Sequence, residues 1–538
     1  MKVNSNSSDA GTLDIVGRSV SVQYASYAFL ILATWTVYQA IFRKKTNAPP
    51  GNPPTTSIQW LFSIVQRVRF LDQGRNLMHN AWKKYPHRCF KMVTELGELV
   101  ILPNEYADVI RGDERLNSEE FFEDVFTSPG NNMSGGAWKA KTLQLFPDNI
   151  PELKILRPNP GLFLPLIQTH LIRHLGRSTR PIHEESMFAV DKVLTAAPDW
   201  HEIKIGSSSS DLVTRVTTRL FAGAELCRDP KWLEAARDYT IYGFAGAFTM
   251  QFFPRFSRKF CSRFNPLCRR AAGLLRQGRL CFEPVLAKRR LEKESGTYVP
   301  QDDAIDWMED SAHKKYDPLD VQISLSAAAI INTTQLLGTV LSHIAANPYI
   351  HEPLRQEIRQ NLQETGMTKA TLQNLKLMDS CIRESARVNP LALVQMLRRT
   401  VKDVKFPDGT FVPKGSTTVV SASKVWDPEE FENPHKWDGE RYYKIRQEEG
   451  KQNAQQLVTI SLDFMDFGYG KVICPGRFLV ADEIKLIMLH ILMKYDIKLP
   501  EGADPNVKYF GVMARVDPEL KLLVRRREVD SEINVDAL

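Results

Sequence analysis

Twelve consecutive residues near the C-terminal end, DFGYGKVICPGR at 466–477, constrain this chain more than any other stretch. Gly468, Gly470 and Gly476 mark places where the backbone must approach something closely. Pro475 suits the first turn of a helix predicted by the apolar run GRFLVADEIKLIMLHILMKY. The loop therefore delivers one thiol, Cys474, to a helix N-terminus, where the positive end of the dipole and unpaired N–H groups favour the thiolate. Such a thiol is built as a ligand or a nucleophile. A nucleophile needs a positioned base, and no histidine lies between His435 and His490 to supply one.

The other six cysteines, at 89, 227, 261, 268, 281 and 381, form no CxxC pair, which indicates neither a disulfide framework nor a structural zinc site and fits a reducing, cytosolic compartment. The 538 residues are 43% apolar and 25% charged, enough for a large core, and neither a long linker after residue 55 nor an internal repeat divides them. The chain reads as one large unit, 56–538, behind an appendage. That appendage comprises a short N-terminus (1–21), an apolar span (22–42) and a basic, proline-rich linker (43–55). The span, VQYASYAFLILATWTVYQAIF, is uncharged and about 32 Å long as a helix, one hydrocarbon core. No basic stretch precedes it and no small-residue cleavage site follows, so it reads as a retained anchor rather than a cleaved signal. Arg43, Lys44 and Lys45 directly after it place the bulk of the chain in the cytosol.

The spacing Phe467-x-x-Gly470-x-x-x-Cys474-x-Gly476 resembles the haem-binding loop of the cytochrome P450 superfamily, the haem-thiolate monooxygenases. That resemblance implies a mainly α fold with small β-sheets in a single catalytic domain. It implies haem b with Cys474 as axial iron ligand, and Phe467, Gly470 and Gly476 letting the porphyrin pack against backbone. The thiolate then pushes electron density towards iron to favour O–O cleavage, and electrons come from NADPH through a membrane reductase.

An ExxR pair on an upstream helix is also implied, with a further arginine between it and the loop. Two candidates exist, EPLR (Glu352, Arg355) and ESAR (Glu384, Arg387). Each sets opposite charges one helical turn apart, which by itself means a solvated surface pair, and spacing does not choose between them. Only ESAR is followed by VNPLALVQMLRRT and VKFPDGTFVPKGS, a helix end, a proline break and strand-like runs around an Asp-Gly turn, in the family's order. Arg441 in FENPHKWDGERYY then completes the expected network Glu384–Arg387–Arg441, buried beneath the haem and ordering the cysteine loop.

Upstream, Leu319 to Asn347 lies between Pro318 and Pro348 and holds a single glycine, predicting one long helix. A membrane span is the alternative, but Gln322, Asn332, Gln335 and His343 dilute it and favour a buried central helix. In the family this helix crosses the distal face of the haem with small residues, an acid or amide, and threonine. Here Ala329, Asn332, Thr333 and Thr334 take those places, and the resemblance gives them the delivery of protons for dioxygen activation through ordered water. Ile330 stands where glycine is usual, and Asn332 where an acid is usual. Val472 replaces a basic residue often found two before the cysteine, leaving Arg398 or Arg399 as expected partners of the haem propionates. Lys471 belongs either to that contact or to the surface that receives the reductase.

QISLSAAAIINTTQLL, DSCIRESARVNP and ICPGRFLVADEIK are most similar to fungal microsomal members that tailor terpenoids and other secondary metabolites. The implied location is the endoplasmic reticulum membrane, single-pass, with the catalytic domain cytosolic. Residues 128–161, rich in Pro, Gly and Asn, fit the family poorly and read as a long surface loop, a substrate lid or an artefact of gene prediction. Between Arg255 and Arg290 lie eleven Lys or Arg and one acid, next to FTMQFFPRF. The expectation is a basic face resting on anionic headgroups, with Phe252, Phe253 and Phe256 dipping into the interface. Net charge is only +7 with no accompanying motif, which excludes nucleic acid as partner. The function expected is a monooxygenase acting on an apolar, terpenoid-like molecule. The alternatives are a haem-thiolate isomerase or dehydratase that needs no reductase, and a haem-binding protein without catalysis.

Overall fold

The computed structural model describes residues 45–52, 59–121, 167–250, 252–253, 258–311 and 316–528. The apolar span 22–42 and the segment 128–161 lie outside the described residues. The fold is mainly α with small β-sheets. Its long helices are α1 (Gln59–Lys84), α2 (Ile172–Leu194), α3 (Ile205–Phe221), α4 (Pro230–Met250), α5 (Pro266–Glu294), α6 (Pro318–Ala346), α7 (His351–Thr365), α8 (Lys376–Val388) and α9 (Arg477–Lys494).

The helix α6 is the axis of the molecule. Asp317 caps it, its side chain accepting from the Leu319 N–H at 3.0 Å, and Pro318 occupies its first turn. It ends at Asn347, one residue before Pro348, as the sequence predicts. Helices α3, α4, α8 and α9 all pack on it. Its length and hydropathy would suit a membrane, yet most of its apolar window is buried inside the protein, so it is a core helix.

The main sheet has the order β1-β2-β8-β5-β3, with β1 Phe90–Thr94, β2 Gly97–Leu102, β3 Leu116–Asn117, β5 Val394–Thr400 and β8 Thr417–Ser421. Strand β2 runs parallel to β8, and the other pairs are antiparallel. The central strand β8, TTVVS, is buried along its whole length, as its β-branched content suits. A second sheet joins β4 (His201–Lys204), β14 (Lys521–Arg526) and β11 (Tyr495–Lys498). The pair β6 (Val404–Lys405) and β7 (Phe411–Val412) flanks the predicted Asp-Gly turn, where Gly409 has φ +82°. A last hairpin, β12 (Lys508–Phe510) and β13 (Met513–Arg515), turns at Gly511.

Several acids are folded into this core. Burial pushes Glu95, Glu357 and Asp466 up to about 7, and Glu483 on α9 up to about 8, where Thr217 Oγ1 on α3 donates to it at 2.9 Å. Over the range between the ordinary carboxylate value and these, the folded chain keeps a proton that the unfolded chain has released. Stability therefore falls as pH rises, by roughly 1.4 kcal/mol per pH unit and group. Buried His343, pushed down to about 4, and His490, pushed well below its ordinary value, act in the opposite sense, but only below about 6.5. The melting temperature should accordingly fall between pH 6.5 and 8, and Glu483→Gln should flatten that fall. A melting temperature that rises over this range would contradict the assignment.

Candidate active site

The cysteine loop is a β-hairpin. Strands β9 (Gly468–Tyr469) and β10 (Val472–Ile473) pair across Gly470-Lys471, and Gly470 takes φ +71° as the first central turn residue. Two of the three glycines serve the hairpin itself. A Cβ on Gly468 (φ +84°) would lie 2.2 Å from the Val472 carbonyl oxygen, and one on Gly470 2.4 Å from Arg111 Cβ. Gly476 differs. A Cβ there would meet only Cys474 Sγ, at 3.8 Å, so this glycine keeps the space beside the sulfur clear. The Cys474 N–H donates to the Phe467 carbonyl at 2.7 Å, and buried Phe467 packs edge-on against Phe464.

Helix α9 starts at Arg477, so Pro475 precedes the helix instead of opening it; the turn Pro475-Gly476 is spent on bringing the thiol round. The thiol does face the N–H groups of Gly476 and Arg477 and the Arg477 guanidinium, which pull its pKa down, but burial outweighs them and pushes it up. The expected preference for the thiolate is thus not met by the helix terminus alone. A thiol in this setting ionises against a cation that binds it directly.

Glu384 and Arg387 sit fully buried on α8. Arg387 Nε and Nη2 donate to Glu384 Oε2 and Oε1, both at 2.8 Å, and Arg387 Nη1 donates to the carbonyls of Val425 and Pro434 at 2.6 and 2.8 Å. Arg441 Nε reaches Glu384 Oε1 at 3.1 Å, and the Asp438 N–H reaches the same oxygen at 3.2 Å. Arg355 is also buried, but it is held by the carbonyls of Leu492 and Tyr495 and by Asp496, while Glu352 turns outward to Arg359. The structure therefore brings Glu384, Arg387 and Arg441 together, and leaves Glu352 as a surface acid.

On α6, hydroxyls sort into two groups. Ser324, Ser326, Thr339 and Ser342 bond back to carbonyls four residues earlier. Thr333 and Thr334 do not: both Oγ1 atoms are buried without a hydrogen-bond partner among the described residues. Asn332, one 100° step away, is exposed, as is Ala328 one turn before it, and Ala329 is half-buried, while Ile330 points into the core. The helix thus presents small residues and an amide on one open face, with the threonine hydroxyls beside it.

Arg398 and Arg399 point to opposite sides of β5. Arg398 is buried, donates to the Leu397 carbonyl at 2.9 Å, and forms no ion pair among the described residues; burial holds its pKa below the usual range. A buried guanidinium without a carboxylate calls for an anionic partner. Arg399 is half-buried and donates to Thr417 Oγ1. Lys471 and Val472 are exposed at the tip of the hairpin.

Sequence reasoning missed two residues that brace the loop. Arg383, adjacent to Glu384, is fully buried, donates to the carbonyls of Gln456 and Thr459 at 2.6 and 2.8 Å, and stacks over Phe464 at 4.1 Å. Asp466, the first residue of the quoted loop, accepts from Gln395 Nε2 at 3.0 Å. A lone acid opening an apolar loop was the available signal for Asp466. For Arg383 there was none, because neighbouring charges on a helix read as surface.

The expected basic face is not one face. Within α5, Arg270 pairs with Glu234, Arg279 with Asp317 and Glu283, Arg290 with Glu309, and Arg289 is buried between Glu225 and Asp303. Among the described residues of this stretch the exposed cations are Arg263, Arg269, Arg270, Arg276, Lys288 and Arg290; of these Arg270, Lys288 and Arg290 pair with Glu234, Glu292 and Glu309, while Arg263 lies beside exposed Phe260 and Phe264. Phe252 packs under Arg67, whereas Arg255 and Phe256 lie outside the described residues.

The described residues thus bring together a cysteine hairpin before a core helix, a buried carboxylate holding two arginines, and a long central helix with unpartnered hydroxyls. The family model described as Cytochrome P450 matches residues 314–524, which contain every one of these features. The chain is 37% identical to cytochrome P450 monooxygenase 1 of Gibberella fujikuroi over 83% of its own length and all of that protein. It is 33% identical to cytochrome P450 monooxygenase TRI1 of Fusarium sporotrichioides, over 91% of the chain and 88% of that protein. It is 32% identical to cytochrome P450 monooxygenase eqxH of Fusarium heterosporum, over 96% and 97%. The chain belongs to the cytochrome P450 family and is an oxidoreductase. The family's cofactor is haem b, supplied with electrons from NADPH through a reductase. The residues present fit that group: Gly476 leaves room beside Sγ, and Arg398 is a buried cation without an internal carboxylate.

Proposed function

We propose that this protein is a membrane-bound monooxygenase that oxidises an apolar small molecule of the terpenoid or related secondary-metabolite class. Haem supplies dioxygen activation when bound. The chain's own residues would do the rest: Cys474 Sγ would hold the iron, with Phe467, Gly470 and Gly476 shaping the loop around it, and Arg398 would receive a propionate. The Glu384–Arg387–Arg441 network fixes the segment leading into the loop. Thr333 Oγ1, with Thr334 Oγ1 and the Asn332 amide beside it, moves protons into the pocket through water. The observation that carries this reading is the pair of buried, unpartnered hydroxyls on α6, on a helix whose other buried serines and threonines mostly bond back to their own turn. Residues 22–42 anchor the chain in the endoplasmic reticulum membrane with the catalytic domain cytosolic. Phe260 and Phe264, flanked by Arg263 and Arg269, are the apolar and basic pair that would rest on headgroups.

In the test, Thr333→Ala keeps haem and substrate binding while product formed per NADPH consumed drops about tenfold or more and peroxide accumulates. Asn332→Asp keeps the ratio similar or raises it. An unchanged ratio in Thr333→Ala would remove the relay. Asn332 in place of an acid favours a second reading, an isomerase or dehydratase, and product formed without NADPH would establish it.

A further inference from the structure

The chain reaches Cys474 along an irregular segment and leaves it along α9. Glu384 and its two arginines fasten only the approach, since none of them bonds to α9 among the described residues. A second buried carboxylate on α8, Asp379, fastens both sides. Its Oδ2 accepts from Arg446 Nη2 at 2.6 Å, in the short helix Arg441–Gln447, and from the Leu457 N–H at 2.8 Å. Its Oδ1 pairs with Lys485 Nζ of α9 at 2.8 Å. The stretch 457–485, which carries the hairpin and Cys474, therefore begins and ends on the two oxygens of one side chain. All three charged groups are buried. Burial opposes ionisation of Asp379, but Lys485 and Arg446 outweigh it and hold the carboxyl below its ordinary range. Arg446 Nε also donates to the Ala454 carbonyl at 2.9 Å, and Lys485 Nζ to that of Leu372 at 3.0 Å, so these cations end on protein rather than on solvent.

We propose that Asp379 and Lys485 are positioning residues for iron ligation: by closing the stretch 457–485 on one buried carboxylate, they hold the Cys474 sulfur where the haem iron requires it. The proposal rests on the haem-thiolate reading. Groups that orient a ligand side chain from behind govern how firmly it holds its metal. The loop's own bond, Cys474 N–H to the Phe467 carbonyl, moves with the loop and fixes nothing outside it. Lys485 supplies what that bond lacks, a tie from the outgoing helix to α8. Lys485→Met leaves Asp379 neutralised by Arg446 and bonded to Leu457, so the approach stays fastened while α9 is released.

In the test, each protein is purified with its haem and held at the same interval below its own melting temperature, so that differences in overall stability cancel. The rate measured is conversion of the red-shifted, thiolate-type Soret band of the carbon monoxide complex into the shorter-wavelength band of haem that has lost its thiolate. Lys485→Met should speed conversion about tenfold or more. Asp379→Asn, which discharges the carboxylate for both ends, should be at least as fast. Lys369→Met is the control: it breaks another ion pair of α9, with Asp482, that excludes Asp379, and should stay within about twofold of the parent. If Asp379→Asn yields no haem protein, Lys485→Met decides alone; if that fails too, Lys485→Gln, which keeps a donor but no charge, is judged by the same outcomes. A parental rate in Lys485→Met, or equal acceleration by both methionine variants, would overturn the proposal and leave the haem-thiolate reading standing. A parent without the thiolate-type band would overturn that reading, and the proposal with it.

Discussion

Cys474→Ala abolishes the red-shifted, thiolate-type Soret band of the reduced protein under carbon monoxide, and with it all turnover. The effect is expected to be complete because no other thiol offers a substitute. Cys89, Cys227, Cys268 and Cys381 are buried with their thiols pushed up by burial, and Cys261 and Cys281 lie within helices rather than at a loop. Cys474 alone of the seven sits in a loop directly before a long helix, with the N–H groups of the two residues at that helix start turned towards its sulfur. The measurement is the difference spectrum of parent and variant at equal protein concentration. Persistence of the band would transfer the ligand role to another residue.

Glu384→Ala is the second large effect. Removing the carboxylate leaves Arg387 fully buried with two carbonyl acceptors but no counter-charge, and strips Arg441 and the Asp438 N–H of the same oxygen. Breaking a buried pair from one side costs about 3 to 5 kcal/mol, against a typical total stability of roughly 5 to 15. The expected product is haem-free, aggregating protein. Glu352→Ala should be nearly silent, because Glu352 is 61% exposed and Arg355 keeps Asp496 and two carbonyls. Haem content per protein and the soluble fraction of the two variants, measured side by side, check the contrast; equal damage would refute it.

What the sequence made legible was local. That a glycine-rich loop carries Cys474 to a helix follows from residues within a dozen positions, though not that the loop is a hairpin, and α6 follows from its flanking prolines. ESAR could be told from EPLR by the strand signals directly after it. What stayed hidden depends on distant partners. The cations of α5 looked like one basic face because Glu225, Glu234, Asp303, Glu309 and Asp317, which neutralise them, come from four other segments. Asn332 and Thr333 read as one unit in sequence, yet a single helical step sends one outward and the other inward. Arg383 and Asp466 act on residues some 70 positions away, which no local pattern reports. The turn at Pro475 also misled, since proline suits both a helix start and the bend before it.

The parallel pairing of β2 with β8 also sets a timetable for the growing chain. Leu99 to Leu102 bond to Thr417 to Val420, about 300 residues further along. At about 5 to 20 residues per second, roughly 15 to 60 s pass between synthesis of the two strands. Throughout that interval the apolar strand GELVIL has β1 on one side and an open edge on the other, the kind of edge that recruits foreign strands. Any chain released before Thr417 therefore carries a ready template for aggregation, however well its N-terminal helices have formed.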